Sequence, residues 1–197
     1  MSIPALDCVI ELRRWIVWRT ELRNGKPAKV PYSPVTGRLA KANDPETWTD
    51  HRTATAAVGR LVNGGSGGIG LMLGDLGNAE ALGGIDLDTC RAADGEIDPW
   101  ATEVIDRLAT YAEISPSGTG VKMFLQYALS DLPELRQLMG TDYGKLWKRA
   151  GGDHPPSIEL HLGNRYFAVT GQHLMSTPAV VQPVSLETLR WVIEGCR

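Results

Sequence analysis

The five residues Gly84-Ile85-Asp86-Leu87-Asp88 constrain this chain more than any other segment. Apolar and acidic side chains alternate with a period of two, and successive side chains on a strand point to opposite faces. A strand here buries Ile85 and Leu87 on one side and sets Asp86 and Asp88 together on the other. Two carboxylates about 7 Å apart along one face repel each other unless a cation lies between them. By itself the pair is either a solvated strand edge or an acidic face for a hard ion such as Mg2+, which takes oxygen ligands. The apolar character of the surrounding segment weighs against the solvated edge.

The 197 residues suffice to bury a core, and the formal net charge of −3 excludes a histone-like polyanion binder. That charge is unevenly spread. Residues 1–41 hold 8 basic and 3 acidic side chains, whereas residues 42–120 hold 4 and 13. Cys8, Cys90 and Cys196 lie far apart without CxxC spacing, which argues against a disulfide framework or a zinc site and for a reducing cytoplasm. No apolar run approaches the roughly 20 residues of a membrane span, and the N-terminus lacks a signal-peptide profile. A cytoplasmic protein without a membrane partner is expected.

Asn24-Gly25, between WIVWR (15–19) and KPAKVPY (26–32), predicts a basic hairpin with a type I′ turn. Residues 33–48 read as loop. Helices are predicted from about Thr49 to Val62, after Asp98-Pro99 with an apolar stripe of Trp100, Val104, Ile105, Leu108 and Tyr111, over 131–139, and over 186–194 behind a Ser185 cap. Strands are predicted at 69–73, 83–88, 121–125, 157–162 and 165–171. Strands and helices mix without a repeat or a low-complexity linker, so the expected fold is α+β (α/β) in a single domain over 1–197.

Three further segments bear on chemistry. GSGGIG (65–70) matches GxGxxG but follows a helix and enters a strand, the reverse of a dinucleotide fingerprint, and reads as a turn into a buried strand. SPSGTGVKMF (115–124) combines a tight turn, three hydroxyls and Lys122 at a strand start. It is either a hairpin turn with a solvated lysine or an anion-binding concavity with a cation beside it. In SIELHL (157–162), Ile158, Leu160 and Leu162 face a core while Glu159 and His161 point the other way, and Glu159 would complete a three-carboxylate set with Asp86 and Asp88. His154 and His161 have no zinc-type partners at usual spacing. Trp15, Trp18 and Tyr32, beside Arg19, Lys26 and Lys29, read either as base-stacking side chains or as core anchors.

In their order, these segments resemble the archaeo-eukaryotic primase superfamily, specifically the bifunctional DNA primase/polymerase (prim-pol) domains of phages, plasmids and integrated elements. The matching stretches run from Trp15 to Gly171: WIVWR, NGKPAKVPYSPVTG, NDPETW, GGIGLML, GIDLD, YAEISPSGTGVKMF and IELHLGNRYFAVTG. The resemblance implies a prim-pol catalytic core with an RRM-like half and an N-terminal α/β half, belonging to the N-terminal part of a longer replication protein.

It also implies that Asp86, Asp88 and Glu159 are the catalytic carboxylates and hold two Mg2+ or Mn2+ ions. Ser115, Ser117, Gly118, Thr119 and Lys122, assisted by Arg165, would bind the nucleotide triphosphate. Arg19, Lys26, Lys29, Arg38 and Lys41 are the expected DNA contacts. The implied partners are a single-stranded DNA template and primer, dNTP or NTP, and a helicase domain or protein. Lys122 departs from the family, whose second motif usually ends in histidine. Lysine retains a phosphate-binding cation but not imidazole chemistry. The expected function is template-directed nucleotidyl transfer as a DNA primase and polymerase. The alternatives are a non-catalytic nucleic-acid or nucleotide-binding replication module, and a repair or defence nucleotidyltransferase.

Overall fold

A computed structural model of the protein describes residues 6–151 and 154–195; Cys196 lies outside the described residues. In chain order the elements begin with α1 (Asp7–Ile10), β1 (Trp15–Arg23), β2 (Lys26–Tyr32), α2 (His51–Val62), β3 (Gly67–Met72) and β4 (Gly74–Asp75). The middle of the chain forms β5 (Glu80–Asp88), α3 (Pro99–Leu108), β6 (Ala112–Ile114), β7 (Val121–Ala128) and α4 (Leu132–Met139). The remainder forms β8 (Gly144–Lys148), β9 (Ser157–His161), β10 (Tyr166–Ala168), β11 (Gln182–Pro183) and α5 (Leu186–Gly195). The mixture is α+β, as the sequence predicts. These elements divide between two compact units, one comprising residues up to Met72 with Asn164–Thr170, the other Leu73–Gly163 with the residues from Gly171 onward.

The first unit is built on an antiparallel sheet in the order β10-β3-β1-β2. Asn24 and Gly25 both take positive φ, 51° and 75°, as the two-residue hairpin turn demands. Helix α2 packs Ala57 and Leu61 against Val17, Val30 and Tyr32. It starts at His51 rather than Thr49, because Thr49 exchanges two 2.9 Å backbone hydrogen bonds with Trp15. Asp50 is the cap, its carboxylate accepting from the Thr53 amide and hydroxyl at 2.8 Å each. Glycine is required at position 67, where a Cβ would lie 2.4 Å from the Trp18 carbonyl oxygen. The glycine-rich run thus enters a closely packed strand, in line with its sequence reading. Trp15 and Trp18 are buried in this unit, at 0% and 4% exposure, and act as core anchors.

The second unit is built on a seven-stranded sheet whose central path is β11-β7-β5-β9-β8, with β4 on β5 and β6 on β7. All pairings are antiparallel except β11 with β7. Ile85, Leu87, Val121, Met123, Ile158 and Leu160 line one face and share a core with α3, α4 and α5. The Ser185 hydroxyl accepts from the Thr188 amide at 3.2 Å, the expected cap of α5. Tyr111, by contrast, is not on the α3 stripe. The helix ends at Leu108, Ala109 turns left-handed (φ 45°), and Tyr111 leads into β6. Strand β10 is also shorter than the predicted 165–171.

Replacing Asp50 with alanine should lower stability by about 1 kcal/mol at neutral pH. Hydrogen bonds from the Thr53 amide and hydroxyl hold this carboxyl below its ordinary pKa, so its contribution is complete above the unfolded value and lost as pH falls through the depressed one. Urea unfolding of both proteins at neutral and strongly acidic pH should show the difference closing in acid.

Candidate active site

Register across the second sheet decides which side chains meet. Asp86 on β5 lies opposite Lys122 on β7 and, on its other side, opposite Glu159 on β9. Lys122 in turn lies opposite Glu113 on β6. Directly paired residues share a face, so Glu113, Lys122, Asp86 and Glu159 form one row across four strands, on the face away from the helices. Asp88 is on the same face, one row further along, opposite Ser157.

The row alternates in charge where it is most buried. The Lys122 ammonium forms an ion pair with Asp86 Oδ2, the two side chains being only 8% and 16% exposed. Asp86 Oδ1 is buried and has no hydrogen-bond partner. Glu159 Oε2 lies 2.9 Å from His161 Nε2, which accounts for His161 as a hydrogen-bonded histidine. Glu113 is fully buried, and its Oε1 accepts from Tyr111 Oη at 2.8 Å and from the Gly171 amide at 3.2 Å. Burial first, and the Glu113 charge second, push the Tyr111 phenol above its ordinary range, so it remains a donor.

The Ser/Gly segment is the turn of the β6–β7 hairpin. Gly118 takes φ 79°, the Ser115 amide bonds to the Gly120 carbonyl at 2.9 Å, and the Gly118 amide bonds to the Ser115 carbonyl at 2.9 Å. The hydroxyls of Ser115, Ser117 and Thr119 are linked in a chain at 2.8 and 3.0 Å, with Ser117 and Thr119 exposed. The segment after β5 braces this turn: the amides of Cys90 and Arg91 both donate to the Thr119 carbonyl at 3.0 Å, and Arg91 Nη1 donates to the Gly118 carbonyl at 3.0 Å. Cys90 is buried, and that burial pushes its thiol up to about 12.

The remaining sequence-derived residues belong to the first unit. Arg165 is exposed immediately before β10. Lys26, Lys29, Arg38 and Lys41 are exposed, Lys29 with its ammonium 5.8 Å from the centre of the Trp18 ring. Arg19 is engaged internally, donating to Glu21 at 2.9 Å, to the Leu61 carbonyl at 3.1 Å and to Tyr32 Oη at 3.1 Å. Glu113 and Arg91 were not singled out from the sequence. Glu113 has a detectable signal, a lone acid within the otherwise apolar or small run before the turn; Arg91 has none.

Among the described residues, no three His, Cys, Asp or Glu side chains are gathered as a ready metal site. The donor chemistry nevertheless suits a hard divalent cation. Asp86, Asp88 and Glu159 offer only oxygen, Asp86 and Glu159 are direct cross-strand neighbours, and the buried Asp86 Oδ1 is unmatched. The cation now balancing Asp86 is the Lys122 ammonium.

A mixed α/β protein with an acidic sheet face beside a lysine and a Ser/Gly turn is thus the class that the fold and site define. No family model matches the chain. It is similar to a curated protein of Nitratiruptor phage NrS-1 named DNA Primase-polymerase, with 27% identity over 173 residues. The similarity covers 87% of this chain but 21% of that relative's length. It bears out the resemblance to phage prim-pol domains read from the sequence. No helix among the described residues is long and apolar enough to cross a membrane.

Because Lys122 and Asp86 neutralise each other while largely buried, Lys122→Met should destabilise the fold by about 3 kcal/mol. Asp86→Asn in the same chain should restore most of that loss, measured by urea unfolding. Additive losses in the double variant would refute the pairing.

Proposed function

We propose that this chain carries out template-directed nucleotidyl transfer as a DNA primase and DNA polymerase in the replication of a phage, plasmid or integrated element. The observation that carries the reading is the register of β5: Asp86 lies between Lys122 and Glu159, with Asp88 on the same face and the Ser/Gly turn opening the neighbouring strand. The name of the phage relative supports it. We assign the two units to the two halves of a prim-pol core, the second corresponding to the RRM-like half.

In this reading Asp86, Asp88 and Glu159 hold two Mg2+ or Mn2+ ions, which supply Lewis-acid activation of a 3′-hydroxyl and charge stabilisation of leaving pyrophosphate. The chain's own residues do the rest. Lys122 supplies a point charge for the triphosphate from a partly apolar sheet face, where its attraction is strengthened by exclusion of water. The exposed hydroxyls of Ser117 and Thr119 donate to phosphate oxygens, with Ser115 and Gly118 shaping the turn behind them. Arg91 holds that turn against the end of β5. Exposed Lys26, Lys29, Arg38 and Lys41 contact the template backbone through salt-sensitive phosphate interactions, while Arg19 supports the hairpin that presents Lys26 and Lys29. The nucleotide is a dNTP or NTP, and a helicase domain or protein opens the duplex.

The Lys122–Asp86 ion pair also favours a second reading, in which the domain binds nucleotide or single-stranded DNA without catalysis, since the lysine holds a carboxylate that catalysis needs.

Extension of a labelled primer on single-stranded DNA, with Mg2+ or Mn2+ and either dNTPs or NTPs, separates the two. Incorporation by the wild type and its loss in Asp86→Ala/Asp88→Ala are expected, together with a nucleotide KM about tenfold higher in Lys122→Ala. Equal incorporation by wild type and the double-alanine variant would exclude the catalytic assignment. Nucleotide binding by the wild type with no incorporation would establish the second reading.

A further inference from the structure

We propose that Glu113 is a positioning residue that acts through Lys122, giving its ammonium a second anion so that it is not held by Asp86 alone. The proposal rests on the reading of Lys122 as a triphosphate-binding residue. Glu113 is fully buried, an uncommon state for a carboxylate and one that requires donors around it. Two are fixed: the Tyr111 phenol at 2.8 Å and the Gly171 amide at 3.2 Å, both on Oε1. These bonds come from opposite sides in sequence and hold the carboxylate at one place on β6.

The direct cross-strand partner of Glu113 is Lys122, so the two side chains leave their strands on the same face with Cβ atoms about 5 Å apart. Asp86 is the direct partner on the other side. Lys122 therefore stands between two carboxylate-bearing neighbours on a row where water has little access, and only one of them belongs to the proposed metal set. A lone carboxylate neighbour would draw the ammonium fully onto Asp86. The second carboxylate lowers the cost of moving it off Asp86 and towards an incoming phosphate, because the ammonium keeps a buried counter-charge throughout.

Glu113→Gln tests this while leaving a carbonyl oxygen to accept from Tyr111 and Gly171. Binding of the non-hydrolysable α,β-methylene analogues of dATP and ATP, with Mg2+, is measured by calorimetry for the full chain, for Glu113→Gln, for Lys122→Met and for the double variant. Glu113→Gln should weaken binding about tenfold, and should cause no further loss once Lys122 is methionine. In steady-state extension the same variant should raise the nucleotide KM more than it lowers kcat. Unchanged affinity in Glu113→Gln, or an equal loss in the Lys122→Met background, overturns the role of Glu113 without touching the function proposed above. Failure of the wild type to bind either analogue would instead remove the nucleotide reading itself. If Glu113→Gln melts too low to assay, the double variant decides: a loss of melting temperature smaller than the sum of the two single losses supports the coupling, and a loss equal to that sum overturns it.

Discussion

Strand β5 is held on both edges, by β7 and by β9, and the rest of the second unit depends on that double pairing. Its register delivers Ile85 and Leu87 to the helices and Asp86 to Lys122 and Glu159 in the same act. A slip of one residue would turn every side chain to the opposite face, burying two carboxylates among leucines. The apolar face therefore enforces the polar one. Burial of Ile85, Leu87, Met123 and Leu160 behind α3, α4 and α5 is what fixes where the charges stand.

The charged row also illustrates why an acidic face can be built before any ligand reaches it. Asp86 is compensated by an ammonium from the adjacent strand, and Glu113 by a phenol and an amide. Each of these two carboxylates is stabilised by a different kind of donor, and the other Asp86 oxygen has no hydrogen-bond partner. A polar face arranged in this way is folded and charged at the same time, with the Lys122–Asp86 ion pair at its centre. The Ser/Gly turn is likewise braced from behind by Cys90 and Arg91 rather than by its own few hydrogen bonds alone.

Much of the fold was legible because local chemistry is strong at particular places. Asn24-Gly25 specifies its hairpin through positive φ, Ser185 caps the helix that follows it, and alternation marks β5 and β9. Reading failed where tertiary contacts override local pattern. Tyr111 continues the periodicity of α3, yet Ala109 turns the chain and the phenol is used by Glu113 instead. Short β6 and β8 were not foreseen, because three to five residues of mixed polarity give no period to detect and become strands only through β7 and β9. For the same reason Glu113 and Arg91 escaped notice: their importance lies in which atoms they meet.

The sequence by itself determined the residue types and the faces: two carboxylates on one side of a strand, a third on another alternating strand, a lysine behind a Ser/Gly turn, and a basic hairpin. Spacing within a strand is local geometry, and a period of two is enough to state it. Only the tertiary structure decided which of these meet. Asp86 and Lys122 are 36 residues apart in the chain, and their encounter is set by hydrogen-bond register between strands. That register is chosen by the whole buried face at once, so no segment encodes it alone. The same reason makes Lys122 more than a surface cation beside a turn: between Asp86 and Glu113, it is the charge on which the acidic face balances.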